Sequence, residues 1–395
     1  MKTVSSGLLL LALMLAAINL RPGITSLAPL IERIAAELSL SRGLIGLSTA
    51  LPVLCMGLMA PFAPRLALRF GLERTVALCL GLIAGALLMR LAAESSVVLI
   101  SSAVVLGVGI AVAGPLLSGF IKRHFVDRVG PVAAWYSLGM ALGGAGGAVL
   151  TVSVTQWLGD RWTYGLAIWA LPAGVALLFW LFLAHRMNSL PSAASEPLTS
   201  TESDEPAGLP WRESRAWLIS CFFALQSGLF YAVATWLVAR YAEAGLSSMR
   251  SNALFSLLML CGLPSAFLLP WLAQRFGIRY QLLLLCALVA TLCLSMLTFM
   301  PSWLPEIWAI LLGFALSGSF AMALVLPLYE ADSPMAVSRW TAMMLCAGYS
   351  MASFTPILTG MGRDLAGSYQ PPFMVLTGLA LLMCGLAWRL HSSAR

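Results

Sequence analysis

The sequence predicts an all-α membrane protein with twelve transmembrane helices, arranged as two six-helix pseudo-symmetric halves. Hydrophobic residues make up 60% of the 395 residues and charged residues 10%, against about 25% charged in ordinary globular proteins. Twelve long apolar runs follow one another, and roughly 20 apolar residues suffice to cross a bilayer as a helix. One short motif recurs at the same place in each half. Little sequence remains for a separate soluble catalytic domain.

The apolar runs are separated by short turns that carry charges, proline or glycine. No small-residue cleavage site follows the first run, and further spans do, so we interpret it as a transmembrane helix and not as a signal peptide. The runs cover residues 6–28, 44–68, 74–93, 97–120, 131–157, 163–184, 214–239, 249–273, 279–300, 306–329, 338–361 and 370–390.

One polar stretch divides the runs six and six. It covers residues 185–213, is rich in Ser, Pro and Glu, and is typical of a flexible linker. The N-terminal bundle would then cover residues 1–184 and the C-terminal bundle residues 214–395.

The basic residues predict the orientation. Placing the N-terminus inside puts 15 of the 23 Lys and Arg residues on the inner side and seven on the outer side. Cytoplasmic loops carry such an excess, so we expect both termini and the linker in the cytoplasm of a bacterial inner membrane. The net charge of +7 then reflects orientation and predicts no nucleic-acid partner.

An internal repeat supports the two halves. The segment Pro64–Gly71 reappears as the segment Pro270–Gly277, 206 residues later, and each copy ends the second span of its half. Gly107 and Gly313 share the same offset, each in a fourth span. Duplication of a six-helix unit is the simplest explanation, and parallel repeats of this kind occur in transporters.

The loop after the second span carries a resemblance to the major facilitator superfamily. Arg69, Gly71 and Arg74 match the basic and glycine positions of that family's loop, and Arg275 and Gly277 repeat the pattern in the second half. The resemblance implies a transporter whose loop acts as a cytoplasmic hinge or gate. The acidic residue usual in this motif is absent, so a charge relay through the loop is not implied.

Three further motifs are Asn19-Leu20-Arg21-Pro22, Ile121-Lys122-Arg123-x-Phe125 and, in the seventh span, Gln226-Ser227 with Tyr231 and Trp236-Leu237. By these motifs the chain resembles, over nearly its full length, the cyanate and 2-nitroimidazole transporter branch of the superfamily. Ser118 and Val238 stand where the branch usually has proline.

Arg21 is the sharpest candidate for solute binding. It lies about fifteen residues into the first helix, where a buried Arg costs roughly 2.5–3.5 kcal/mol on insertion scales and should face the bundle interior. Its planar guanidinium suits carboxylate-like or nitro-like groups. The alternative is a structural Arg that bonds helix carbonyls or extends to the outer interface.

Further polar residues could hydrogen-bond a small solute near the midplane, where we expect helices 1, 5, 7 and 11 to meet. Each could instead join two helices, a role worth about 0.6 kcal/mol on average. These candidates are Asn19, Thr25, Tyr136, Gln226, Ser227, Tyr231 and Tyr349.

The acidic residues argue against proton coupling through the protein. All 16 fall in loops, in the linker or at span ends, whereas a proton-coupled carrier usually has a buried titratable group. Facilitated diffusion, exchange, or movement of the solute as its own neutral acid remain open. No metal cluster, cofactor motif or catalytic set is present in the sequence, so we expect no metal, no cofactor and no enzyme.

The leading hypothesis is therefore a monomeric carrier, in the lipid bilayer, for a small planar solute that is anionic or weakly acidic. Cyanate, a small carboxylate or a nitroimidazole-like compound would fit. An exporter of neutral or cationic drugs is the first alternative, and it would predict a buried carboxylate, which the sequence does not show. A multispan membrane enzyme is the second, and it would need a catalytic cluster at the membrane surface.

Overall fold

The computed structural model describes residues 5–188, 209–331 and 334–392. Within these residues, twelve helices are long and apolar enough to cross a membrane, which confirms the predicted fold class. In lipid every backbone polar group must be bonded internally, and continuous helices achieve this. We name the spans α1 to α12: Ser6–Glu37, Arg42–Met59, Leu72–Ala92, Ser96–His124, Pro131–Trp157, Trp162–Met187, Ser214–Glu243, Ser248–Phe276, Arg279–Phe299, Pro305–Glu330, Ala336–Ala366 and Gln370–Ser392.

Two predicted boundaries differ most from the structure. The second apolar run was expected over residues 44–68, but α2 ends at Met59 and a separate short helix covers Ala63–Phe70. Pro61 and Pro64 explain the break, because proline lacks the N–H that a continuing helix needs. The first run was expected over 6–28, whereas α1 continues to Glu37 through an interruption after Ile18.

Both ends of the linker lie at the same end of the helix bundle, which gives a name to each end. The last helical segment of α6, Ala170–Asn188, passes the predicted start of the linker, and α7 begins at Ser214. The greater part of the predicted linker, residues 189–208, lies outside the described residues. We call the end of the bundle at Asn188 and Ser214 the linker end, and the opposite end the far end.

The two halves repeat a close helix contact. A Cβ on Gly107 in α4 would lie 2.6 Å from the Cα of Pro52 in α2, and one on Gly313 in α10 would meet the carbonyl oxygen of Leu258 in α8. Leu258 and Gly313 each lie 206 residues after Pro52 and Gly107. A glycine at the equivalent position of each half therefore lets the fourth span pack closely against the second, which supports the proposed duplication. The exact domain boundaries stay a prediction.

The halves meet along two helix pairs. α2 packs along α11, and α5 packs against α8. Close approach is visible where a Cβ on Gly57 in α2 would lie 2.9 Å from the carbonyl oxygen of Cys346 in α11. Small residues permit such backbone proximity between membrane helices. Residues of the α5–α8 pair also line a cavity between the halves.

Candidate functional site

A cavity of about 810 Å³ lies between the two halves. Residues of α1 and α5 line one side and residues of α7 to α10 line the other, and the lining is mostly apolar. The cavity extends from Arg21, in the middle of α1, to Arg279 and Tyr329 at the linker end. Its volume falls in the range of about 300–1,000 Å³ that is usual for small-molecule sites.

The interruption of α1 places Arg21 beside this cavity. Regular helix ends at Ile18 and resumes at Pro22, with Arg21 at the N-cap position. Proline at this position removes a helical N–H and disfavours helical geometry in the residue before it. Side chains also bond the backbone of this segment. The Arg90 guanidinium of α3 donates to the carbonyl oxygen of Gly23 at 2.9 Å, and the Thr25 hydroxyl donates at 3.3 Å to that of Arg21, which also accepts from backbone N–H groups of the next turn.

A row of glycines on α5 holds the interrupted segment of α1. A Cβ on Gly143 would collide with the carbonyl oxygen of Ile18, and one on Gly147 would lie 3.1 Å from the Cα of Pro22. Gly144 faces the Arg21 stem, whose Cδ would be 3.4 Å from an added Cβ. The close approach of α5 to α1 at these glycines positions Arg21 at the cavity wall.

Two aromatic rings from the opposite half flank the Arg21 guanidinium. Its central carbon lies 5.5 Å from the ring centroids of both Phe230 in α7 and Phe320 in α10. These distances are within the range of cation–π attraction. Among the described residues, none that lines the cavity is Asp or Glu, and no ion pair involves Arg21. The guanidinium therefore keeps its positive charge uncompensated by a carboxylate.

Four of the residues predicted to bind solute line the cavity together. They are Arg21, Tyr136, Ser227 and Tyr231. Tyr231 packs edge-on against the ring of Phe230, one of the two rings that flank Arg21. A guanidinium, two tyrosines and a serine thus line one part of a mostly apolar space.

The other four predicted residues lie behind the cavity wall and are not among its lining residues. Asn19 donates to the carbonyl oxygens of Leu15 and Pro172, at 2.7 and 3.1 Å, and so joins α1 to α6. Gln226 donates to the carbonyl oxygen of Leu316 at 2.8 Å and joins α7 to α10.

Thr25 and Tyr349 have similar positions. Thr25 bonds the backbone of its own helix and is buried against α5. Tyr349, the candidate from α11, packs edge-on on Phe223 with centroids 5.0 Å apart and stands 6.5 Å from the Tyr231 ring. Solute binding by these four residues stays a prediction, and none of the four side chains lines the cavity.

Several lining residues were missed by the sequence reasoning. Phe230 and Phe320 are ordinary aromatic residues within apolar runs, and no pattern in the sequence marks them. Ser137 stands next to the predicted Tyr136, which could have indicated it. Arg279 is one of the 15 basic residues that the sequence assigns to the inner side, and its function there was interpreted as orientation alone. The structure places it among the lining residues of the cavity.

A polar cluster closes the far end of the space. The Tyr369 hydroxyl, from the turn between α11 and α12, donates to the Glu32 carboxylate at the end of α1, and Arg42 pairs with the same carboxylate at 2.9 Å. The backbone N–H of Gly43 donates to Asp364 of α11 at 3.0 Å. The Tyr369–Glu32 and Gly43–Asp364 hydrogen bonds both cross between the halves, so the far end is shut in this conformation.

The residues predicted to act as a hinge or gate all lie at the linker end. Arg69, in the short helix, and Arg74, at the start of α3, line one small surface pocket. Gly71 between them has φ 86° and ψ 147°, while Gly277 in the second half has φ 69° and ψ 16°. Arg275 is exposed. Their role in alternation stays a prediction, but Gly71 does occupy a backbone conformation that L side chains rarely adopt.

Comparison with known proteins places the chain in a family. Residues 9–334 match the family model described as Major Facilitator Superfamily. The chain belongs to the major facilitator superfamily. Solved members have the same architecture: a D-xylose–proton symporter superposes with a TM-score of 0.75 at 14% identity, covering 97% of each chain.

Curated relatives place the chain within the superfamily more closely. It is 33% identical to the cyanate transport protein CynX of Escherichia coli (strain K12) over 361 residues, 91% of each protein. It is 30% identical to the 2-nitroimidazole transporter of the same organism over 380 residues, 95% of this chain and 93% of that one. The predicted resemblance to the cyanate and 2-nitroimidazole branch is confirmed. The protein is a multi-pass membrane transporter and not an enzyme.

Proposed function

We propose that this major facilitator carries a small planar solute, anionic or weakly acidic, and that Arg21 binds it. The observation that carries the proposal is an arginine, unpaired among the described residues, in a cavity whose described lining has no carboxylate. The curated names of the relatives, cyanate and 2-nitroimidazole transporters, agree with a solute of this kind.

Electrostatics favours an anion over a cation. A guanidinium in a mostly apolar space repels cations, and it offers paired N–H donors to a carboxylate or nitro group. The cost of keeping an unpaired Arg at membrane depth is several kcal/mol, and an incoming anion offsets it. Phe230 and Phe320 would lie beside a planar solute held at Arg21.

Alternating access follows from the position of the cavity between the halves. The far end is shut by the Glu32–Tyr369 contact, while the cavity extends to the linker end. We place the linker end and both termini in the cytoplasm of a bacterial inner membrane, from the distribution of Lys and Arg. In that orientation this conformation faces inward, and the carrier acts as a monomer.

A second candidate is a carrier of neutral aromatic compounds. The size of the cavity and its mostly apolar lining favour it, because burial of aromatic surface needs no charge. The two candidates differ in what they require of Arg21: an anion needs its charge, and a neutral aromatic compound does not.

The deciding experiment measures binding to purified wild type and Arg21→Gln. The ligands are cyanate, 4-nitrobenzoate, 2-nitroimidazole and the neutral 4-nitrobenzamide, and Lys122→Gln serves as a charge-matched control outside the cavity. Arg21→Gln should weaken 4-nitrobenzoate binding by about tenfold or more, since a hydrogen bond to a charged group contributes roughly 1.5–3 kcal/mol. If wild type and Arg21→Gln bind 4-nitrobenzoate and 4-nitrobenzamide equally well, the anion carrier is rejected in favour of the carrier of neutral aromatic compounds.

A further inference from the structure

We propose a second anion-binding group at the mouth of the cavity, formed by Arg279, which captures the anion before it reaches Arg21. This inference rests on the proposed function, because it extends the path of the same solute. Arg279 opens α9 at the linker end and lines the same cavity as Arg21.

The geometry holds the Arg279 guanidinium in one orientation. Its central carbon lies 3.8 Å from the ring centroid of Tyr329, the closest cation–ring contact among the described residues, and 5.9 Å from that of Tyr280. A guanidinium stacked on a ring keeps its N–H donors in the plane, free to bind a planar anion at its edge. Tyr329 lines the cavity as well, so the stacked pair stands at its mouth.

The Glu330 carboxylate, at the same end of the bundle, is already engaged. Glu330 pairs with Arg215 of α7 at 2.7 Å and also accepts a hydrogen bond from the Tyr280 hydroxyl. No ion pair to Arg279 occurs within the described residues. The charge of Arg279 is therefore available to a ligand, while Arg215 neutralises its acidic neighbour.

Two positive groups in one apolar passage have separate effects on a passing anion. Low-dielectric walls focus the field of the mouth charge and raise the local anion concentration. A charge at the rim of a site changes mainly the association rate and its salt dependence, whereas a charge at the buried contact changes dissociation. Arg279 should thus control capture, and Arg21 should control retention.

The competing explanation treats Arg279 as an orientation charge. Positive residues near the ends of spans set topology through their charge alone, and such a residue would leave solute kinetics untouched. The distinction is measurable, because only capture couples the Arg279 charge to the association rate.

The test is stopped-flow quenching of tryptophan fluorescence by 4-nitrobenzoate, at low and high salt, with purified protein. Arg279→Gln should slow association about threefold to tenfold at low salt. The deficit should vanish at high salt, and dissociation should stay unchanged. Arg279→Lys, which keeps the charge, should restore the rate, while Lys122→Gln should match wild type.

Each outcome separates the two hypotheses. Wild-type association rates in Arg279→Gln at every salt concentration, together with fast dissociation in Arg21→Gln, would remove the capture site and leave the proposed function standing. A slow rate that Arg279→Lys does not restore would show a structural defect and also remove it. If 4-nitrobenzoate and 4-nitrobenzamide bind wild type and Arg21→Gln alike, the proposed function falls and the capture site falls with it.

Discussion

At the scale of single residues, two glycines at equivalent positions of the repeated motif have different backbone conformations. Gly71 and Gly277 hold matching places in the repeated motif, yet their backbones differ. Gly71 has ψ 147° at positive φ, a region open essentially to glycine, whereas Gly277 lies in the left-handed helical region that asparagine also tolerates. Nothing lies within 4 Å of a Cβ at either position, so backbone conformation alone distinguishes them.

Asparagine substitution should therefore separate the two glycines. Gly277→Asn should leave thermal stability and transport rate nearly unchanged, while Gly71→Asn should cost about 1–3 kcal/mol and slow transport without changing solute affinity. Thermal unfolding and uptake into proteoliposomes check this. Equal behaviour of both variants would show that the first loop is no more constrained than the second.

Helices pack closely in this molecule wherever glycine removes a side chain. The pairs Gly81–Gly85 in α3 and Gly139–Gly143 in α5 have the same four-residue spacing, but only the α5 pair brings another helix into close contact. Gly143 is in direct contact with the backbone of α1 at Ile18. By contrast, no atom lies within 4 Å of a Cβ placed on Gly85 in α3, and a Cβ on Gly81 would be 3.8 Å from Leu177. Spacing alone therefore does not identify a helix interface.

Alanine substitution tests this difference. Gly143→Ala should lower the melting temperature, because overpacking costs about 1–3 kcal/mol, and it should weaken solute binding by displacing α1 and Arg21. Gly85→Ala should be neutral or slightly stabilising, since Ala is favoured over Gly in helices by about 1 kcal/mol. Unchanged binding in a folded Gly143→Ala protein would contradict the role of α5 in positioning Arg21.

Across the whole molecule, the far-end cluster selects one conformation. Tyr369 is 2% exposed, and burial together with the neighbouring Glu32 carboxylate raises the pKa of its hydroxyl, so the phenol keeps its proton and donates. Its backbone N–H also donates to Glu243 at the end of α7, at 2.8 Å. One residue thus ties α1 of the first half to α7 of the second.

Tyr369→Phe should open the far end. Loss of a hydrogen bond to a charged group, worth roughly 1.5–3 kcal/mol, should raise the far-open population about tenfold or more. Distances between spin labels across the far end would show the change. Tyr164→Phe is the matched control, because Tyr164 bonds Arg161 within one half at the same end. An identical distance distribution in wild type and Tyr369→Phe would mean that other contacts keep the far end shut.

The fold was readable from the sequence because lipid imposes one requirement on every span. Apolar length revealed the twelve helices, and the repeated motif revealed the halves. The site was readable in part. Arg21 and Tyr231 line the cavity, while Gln226, on the same helix as Tyr231, binds an adjacent helix. Interior polar residues face either a neighbouring helix or the cavity, and a single sequence does not distinguish these two sides. Arg279 was missed because its charge also satisfies the orientation rule.

The uncompensated charge of Arg21 affects whether the carrier exchanges solutes or transports them in one direction. To change sides, the carrier must pass an occluded state in which the cavity is cut off from bulk water. An empty cavity would enclose a bare guanidinium there, at the cost of its hydration, whereas a bound anion neutralises the group. The loaded carrier should therefore reorient faster than the empty one. We expect countertransport, one solute outward for each solute inward, to outpace net flux.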